Sequence, residues 1–312
     1  LIGNMKKIKY LGMLLMMFAA TASFVGCSED DLDSKSIFDT NPIQRSEFDN
    51  WLLKNYVQEF NINFLYHYND KEADQNYNVT PAQTDKAIAI AKLMQHMWLG
   101  AYVEAAGADF LKTYTPRVIQ LSGSYKYDTN GQIVLGTAEQ GMKVMFYGVN
   151  ELDIDNVRVN STDPYESKDT KPLDLNYWFF HTMHHEFCHI LTQTKNYSTD
   201  FQTISAGGYH STDWVNVKDK DAATEGFVSG YASQEYNEDF AEIYAYYVTL
   251  SEEGWNKIIE QAGENGAKII NKKLDIVRSY FLNSWNIDLD TMRSIVLRRS
   301  NEVTSLDLRK LD

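Results

Sequence analysis

The sequence predicts an α+β protein, with helices on a mixed or antiparallel sheet over residues 43–172 and a mainly helical part over 173–312. Three observations lead there. Runs rich in β-formers flank an Asn130-Gly131 pair, and "KVMFYGV" (143–149) follows at strand length. From Pro172 onward, apolar residues recur at helical instead of alternating spacing.

"SEFDNWLLKNYVQEF" (46–60) spaces Phe48, Leu52, Tyr56 and Phe60 along one side of a helix, with Ser46 as its N-cap. "NINFLYHYN" then alternates apolar and polar residues and reads as a strand. A long helix should open with Thr80 as cap and Pro81 at its first position, carrying a stripe of Ile88, Leu93, Met97 and Tyr102. In "RVIQLSGSYKYDTNGQIVLG" the Asn-Gly pair supplies the positive φ that a tight hairpin needs, so the two flanking runs should pair antiparallel. The first half therefore reads as helices on a mostly antiparallel sheet. Helices follow near 174–194, 237–251, 253–262, 265–283 and 288–301. No internal repeat or low-complexity linker interrupts the body.

With 312 residues, 44% of them hydrophobic, the chain has ample material for a globular core. Its 43 acidic residues against 29 basic ones give a net charge of −14, which argues against a nucleic-acid partner. At the N-terminus, Lys6, Lys7 and Lys9 precede an apolar stretch, Leu11 to Val25, the pattern of a secretory signal over 1–26. Residues Leu1 to Asn4 precede the expected start at Met5. The stretch ends in "FVGC", which resembles the lipobox of bacterial lipoproteins and makes Cys27 the expected lipidated residue. Phe24 stands where an aliphatic residue is usual. Cleavage there removes three lysines and no acid, taking the net charge to −17. Residues 27–42 then form an acidic, polar tether. With Cys27 lipidated, Cys188 has no partner for an intrachain disulfide.

"HTMHHEFCHI" (181–190) holds four of the seven histidines. Within it His185, Glu186 and His189 form H-E-x-x-H. Histidines four apart share a helix face and can reach one Zn²⁺, while the glutamate beside the first can take a proton from a metal-bound water. At this chain's composition the motif arises by chance about 0.9% of the time, so it carries weight. Counted at about 100° per residue, Phe180, Met183, Phe187, Ile190 and Leu191 form the opposite, core face. His181 also lies four before His185, but that pairing puts Thr182 at the position of the base. His181 and His184 are accordingly read as flanking histidines, on the surface or hydrogen-bonded, and Cys188 as a small buried apolar residue.

A catalytic zinc takes three protein ligands and leaves a position for water. "YNEDFAEIYAYYV" supplies candidates: Glu238 and Glu242 share a helix face with Ala241 and Ala245, opposite Phe240, Tyr244, Tyr247 and Val248. Two inward acids on an otherwise apolar helix need a compensating charge. Asp239 is an alternative, rotated away from Glu242.

"HEFCH" followed by "NEDFAE" resembles the glutamate zincins, the thermolysin-like class. That resemblance implies a zincin-like fold with the active site on the H-E-x-x-H helix, Glu238 as third zinc ligand and Glu242 as the acid that orients a ligand histidine. The wider stretch, "HHEFCHILTQ" through "GFVSGYASQEYNEDFAEIYAYY" together with the lipobox, resembles the substrate-import-associated zinc metallohydrolase lipoproteins of nutrient-uptake loci. It implies a metallopeptidase acting on a peptide or protein, held to the outer membrane by its lipid beside a TonB-dependent importer and that importer's surface lipoprotein. In such chemistry Glu186 is the general base, and Tyr231 or His210 is a candidate donor to the oxyanion. "KVMFYGV" is a candidate strand edge for an extended substrate. A non-catalytic zinc-binding scaffold or substrate-binding lipoprotein of the same import system is the competing reading, as is hydrolysis of a non-peptide amide or ester. A purely structural site, however, has no need of Glu186.

Overall fold

The computed structural model of the chain describes residues 44–67, 79–128, 131–139 and 142–311. The signal segment 1–26, Cys27, the tether 27–42 and Asn130 lie outside them. The chain divides into two units, 1–44 and Arg45–Asp312, and the elements below belong to the second.

Helix α1 (Glu47–Leu52) begins where Ser46 predicts. The Ser46 hydroxyl accepts from the Asp49 N–H at 3.0 Å and Asp49 Oδ2 accepts from the Ser46 N–H at 2.9 Å, satisfying two donors that the helix start leaves open. A π-helical turn, Leu53–Gln58, continues it, and Phe48, Leu52, Tyr56 and Phe60 are buried as spaced. Strand β1 (Asn63–Leu65) follows.

The next helix starts later than Thr80 and Pro81 predict. Helix α2 (Thr84–Met94) is preceded by Gln83 in extended conformation, without a side-chain cap. A tertiary competitor explains the shift. The Asn150 side chain accepts from the Gln83 N–H at 2.8 Å and donates to the Pro81 carbonyl at 3.1 Å, while the Gly123 N–H takes the Thr80 carbonyl at 2.8 Å. A π-helical turn, Gln95–Leu99, and helix α3 (Gly100–Ala106) extend the run, and α4 (Ala108–Tyr114) follows. Of the expected stripe, Leu93, Met97 and Tyr102 are buried and Ile88 half-buried.

Strands β2 (Val118–Leu121), β5 (Gly136–Glu139) and β6 (Lys143–Phe146) join β1 in a sheet of order β1-β2-β6-β5. Strand β2 runs parallel to both β1 and β6, and β5 and β6 are antiparallel. The sheet is therefore mixed and mainly parallel, which corrects the mostly antiparallel expectation. Helices α2 to α4 carry the chain back between β1 and β2, and such a crossover makes consecutive strands parallel. The hairpin is present, with β3 (Lys126–Tyr127) antiparallel to β4 (Ile133–Val134) around Gly131 at φ 78°, but it forms a separate two-stranded sheet. Because β6 lies between β2 and β5, "KVMFYGV" offers no free edge. The edges of the sheet are β1 and β5.

The second part is helical: a π-helical turn, Asn176–His181, continuing into α5 (Thr182–Thr194), then α6 (Asp200–Ile204), α7 (Asp219–Glu225), α8 (Tyr236–Thr249), α9 (Glu252–Trp285) and α10 (Leu289–Glu302). The two helices expected over 253–283 form α9, bent at Gly263, whose φ of 63° breaks helical geometry. Helices α6 and α7 span 5 and 7 residues, too short for a periodic pattern to reveal.

A fully buried Lys273 on α9 ties three segments together. It meets Asp239 Oδ2 on α8 at 2.6 Å and donates to the Gly226 carbonyl at 2.8 Å, and the Tyr209 hydroxyl donates to the same carboxylate oxygen at 2.9 Å. Removing one member leaves the other as an unpaired buried charge. Lys273→Met should thus cost about 3–5 kcal/mol of unfolding free energy. Lys273→Met combined with Asp239→Leu should recover most of that loss in urea denaturation. Equal stability of the single variant and the wild type would contradict this account.

Candidate metal centre

Helix α5 packs its apolar face, Met183, Phe187, Ile190 and Leu191, into the core and lies against α8. That packing brings three donor atoms from residues far apart in sequence to one point. His185 Nε2 lies 3.0 Å from Glu238 Oε2 and 3.0 Å from His189 Nε2, and His189 Nε2 lies 3.2 Å from Glu238 Oε2. A tetrahedral zinc with ligands at about 2.1 Å sets its donors about 3.4 Å apart, so this triangle is within a few tenths of an ångström of one coordination face. Two imidazole nitrogens at 3.0 Å admit a single proton between them, whereas a shared cation satisfies both lone pairs and the carboxylate. The donor set of two imidazoles and one carboxylate suits Zn²⁺.

Glu242, one turn further along α8, grips the outer side of the same histidine. Its Oε1 lies 2.7 Å from His181 Nε2 and 2.9 Å, at an oblique angle, from His185 Nδ1, while its Oε2 accepts from the Ser229 hydroxyl at 2.6 Å. Burial would raise both glutamates, but the facing histidines hold Glu238 and Glu242 well below the usual carboxylate range. For His185 burial opposes the charge, and the two glutamates outweigh it, raising its pKa well above the ordinary value. His181, His185 and Glu242 also converge closely enough to hold an ion. That group is buried throughout, whereas His185, His189 and Glu238 line a cleft of about 660 Å³.

Glu186 and Tyr231 line the same cleft, with Gly136 and Thr137 of the edge strand β5. Gly136 is required by close approach: a Cβ there would come 2.6 Å from Thr182 Cγ2 and 3.6 Å from Glu186 Cγ. The Tyr231 ring lies 5.8 Å from that of His185 and edge-on to Trp214 at 4.9 Å. Burial, then the nearby carboxylates of Glu238 and Glu186, push its phenol well above the ordinary value, so it stays a neutral O–H donor.

Other sequence candidates lie elsewhere. His210 is not brought to the cleft: its Nε2 meets Glu225 Oε2 at 2.6 Å and its N–H donates to the Ser233 carbonyl at 2.7 Å. His184 is neither on the surface nor hydrogen-bonded. It is fully buried near the rings of Tyr102 and Tyr244, and burial pushes it down to about 3. Its neighbour on the turn, His181, is hydrogen-bonded, to Glu242. Cys188 is fully buried with its thiol pushed up by burial, and Asp239 is turned away to Lys273. Sequence reasoning missed Ser229, Trp214 and the edge-strand pair. A glycine inside a strand was the one available signal, for Gly136.

A family model described as "Putative zinc-binding metallo-peptidase" matches residues 41–290. Among solved structures, one described as the crystal structure of a putative zinc-binding metallo-peptidase from Bacteroides caccae is 41% identical to the chain. The match covers 89% of this chain and 100% of that one, with a TM-score of 0.70. No curated protein matches the chain.

Two outcomes follow from the geometry. Zinc affinity, measured against a competing chelator, should fall more than 100-fold in Glu238→Ala and about 10- to 100-fold in His181→Asn. Undiminished affinity in Glu238→Ala would rule that carboxylate out. The second concerns acid stability. With a depressed pKa in the folded state, the protonation of His184 costs no stability above about pH 6.5. As pH falls from there towards 3 the unfolded chain gains a proton that the folded one refuses, costing about 1.4 kcal/mol per pH unit. Denaturation midpoints at pH 7.5, 6 and 5 should therefore fall more steeply in the wild type than in His184→Leu, and parallel curves would refute it.

Proposed function

The chain belongs to this metallo-peptidase family, and on that premise we propose that it is a zinc-dependent peptidase working through His185, His189, Glu238 and Glu186. The observation that carries the reading is the meeting of His185, His189 and Glu238 at a cleft that Glu186 and the strand β5 also line. Zinc held there would lower the pKa of a bound water towards about 7 and polarise the substrate carbonyl.

This chain's own residues supply the rest. Glu186, next to His185 on α5, takes the proton from the attacking water and passes it to the leaving amine. Tyr231, kept protonated by its surroundings, donates to the carbonyl oxygen as negative charge develops on it. Glu242, with Ser229 and His181 around it, keeps the His185 ring in place. The free edge of β5 accepts an extended peptide by backbone hydrogen bonds, and the missing side chain at Gly136 keeps that strand close to Glu186.

The same reading extends to location. Cys27 in "FVGC" and the acidic run after it support a lipid-anchored protein on the outer membrane, facing outward beside a TonB-dependent importer and its surface lipoprotein. No helix among the described residues is long and apolar enough to cross a membrane.

The test is cleavage of casein or gelatin by the zinc-loaded protein. Glu186→Gln should retain about one equivalent of zinc and lose activity by about 10²- to 10⁴-fold. A zinc-loaded wild type that cuts neither protein would sink the peptidase reading in favour of a scaffold.

A further inference from the structure

Resting on the peptidase reading, we propose that the cleft selects a hydrophilic, non-acidic side chain next to the bond it cuts. Ligand clefts are lined mainly by apolar side chains, and affinity then comes from apolar area removed from water. This one is built differently: among the described residues that line it, none is aliphatic and none is Lys or Arg.

Its wall continues directly from the metal centre. Beyond His189, the last turn of α5 and the residues after it present Gln193 and Asn196, and α6 adds Gln202. Their three amides have no hydrogen-bond partner among the described residues, so each can both donate to a substrate and accept from it. Another part of the lining is held in shape by its own bonds. The Tyr197 hydroxyl donates to Asn237 Oδ1 at 2.8 Å and Asn237 Nδ2 donates to Glu235 Oε2 at 3.1 Å. Glu235 is thus a fixed negative charge in the lining, apart from the carboxylates at the metal centre.

The consequences for a substrate side chain differ by class. An aliphatic group laid against amides strips water from them and returns no hydrogen bond. An acidic group meets Glu235 with no cationic side chain to offset it. Hydroxyl and amide groups find partners in Gln193, Asn196 and Gln202, and a basic group also finds Glu235. A cleft of about 660 Å³ takes any of these along with the peptide backbone.

The experiment is digestion of a mixed peptide library by the zinc-loaded full chain, with cut sites read by mass spectrometry. At one position flanking the cut, Ser, Thr, Asn, Gln, Lys and Arg together should exceed Leu, Ile, Val and Phe by at least about tenfold in kcat/KM, with Asp and Glu depleted. Gln193→Leu and Gln202→Leu should each move that ratio at least about fivefold towards aliphatic residues, and Glu235→Gln should relieve the depletion of acids. Zinc content and thermal midpoint serve as the check on folding for each variant. Cleavage with an aliphatic or acidic preference on both sides of the cut overturns the selectivity and leaves the peptidase reading standing. So do folded variants with unchanged ratios. No cleavage of any library member overturns both.

Discussion

Helix α8 carries three successive buried or half-buried acids, Glu238, Asp239 and Glu242, into a protein interior, and the structure depends on each finding its own counter-charge. Glu238 faces His185 and His189, Glu242 faces His181, His185 and Ser229, and Asp239 faces Lys273 and Tyr209. A carboxylate left unpaired in such surroundings costs several kcal/mol, so the pairs act together as a register lock. Sliding α8 past α5 by one turn, about 5.4 Å, would part Glu238 and Glu242 from their histidines together. Apolar packing brings the helices together, and these charges decide where they stop.

The sheet contributes by placement more than by chemistry. Because helices α2 to α4 cross over between β1 and β2, the sheet is parallel through its middle and its antiparallel strand β5 falls at the margin, beside α5. That margin is one of the sheet's two edges, and Gly136 lets it approach the helix that bears Glu186. Such an arrangement supplies a backbone template and a base within one cleft.

How much of this the sequence discloses varies with the range of the interaction. H-E-x-x-H is legible because its geometry is local: four residues of helix bring His185 and His189 to the same side whatever surrounds them. The acids of α8 are legible as inward-facing, since apolar periodicity orients them, but their partners are set by tertiary packing and only the resemblance to zincins separated Glu238 from Glu242. His210 misled because a polar loop residue carries no periodic signal, and Glu225 captured it. The start of α2 was lost to Asn150, a residue about seventy positions away. Parallel pairing was illegible for a similar reason, since strand direction follows from the path of the intervening helices and not from the strands' own composition.

The grip of Glu242 has a consequence for where hydrogens sit. An ionised carboxylate only accepts, so the groups hydrogen-bonded to it present a proton, Ser229 through its hydroxyl and His181 through Nε2, while His185 Nδ1 lies 2.9 Å away without an aligned bond. The nitrogen of His181 that carries the proton is thereby set. His181 is left with an Nδ1 that has no partner, the position expected of a bare lone pair. For His185, Nε2 faces Glu238 and His189 and is the nitrogen a cation would meet, while Nδ1 is turned to the Glu242 side. The ring needs no rotation to become a ligand, because the nitrogen that faces in is already the one beside the other two donors.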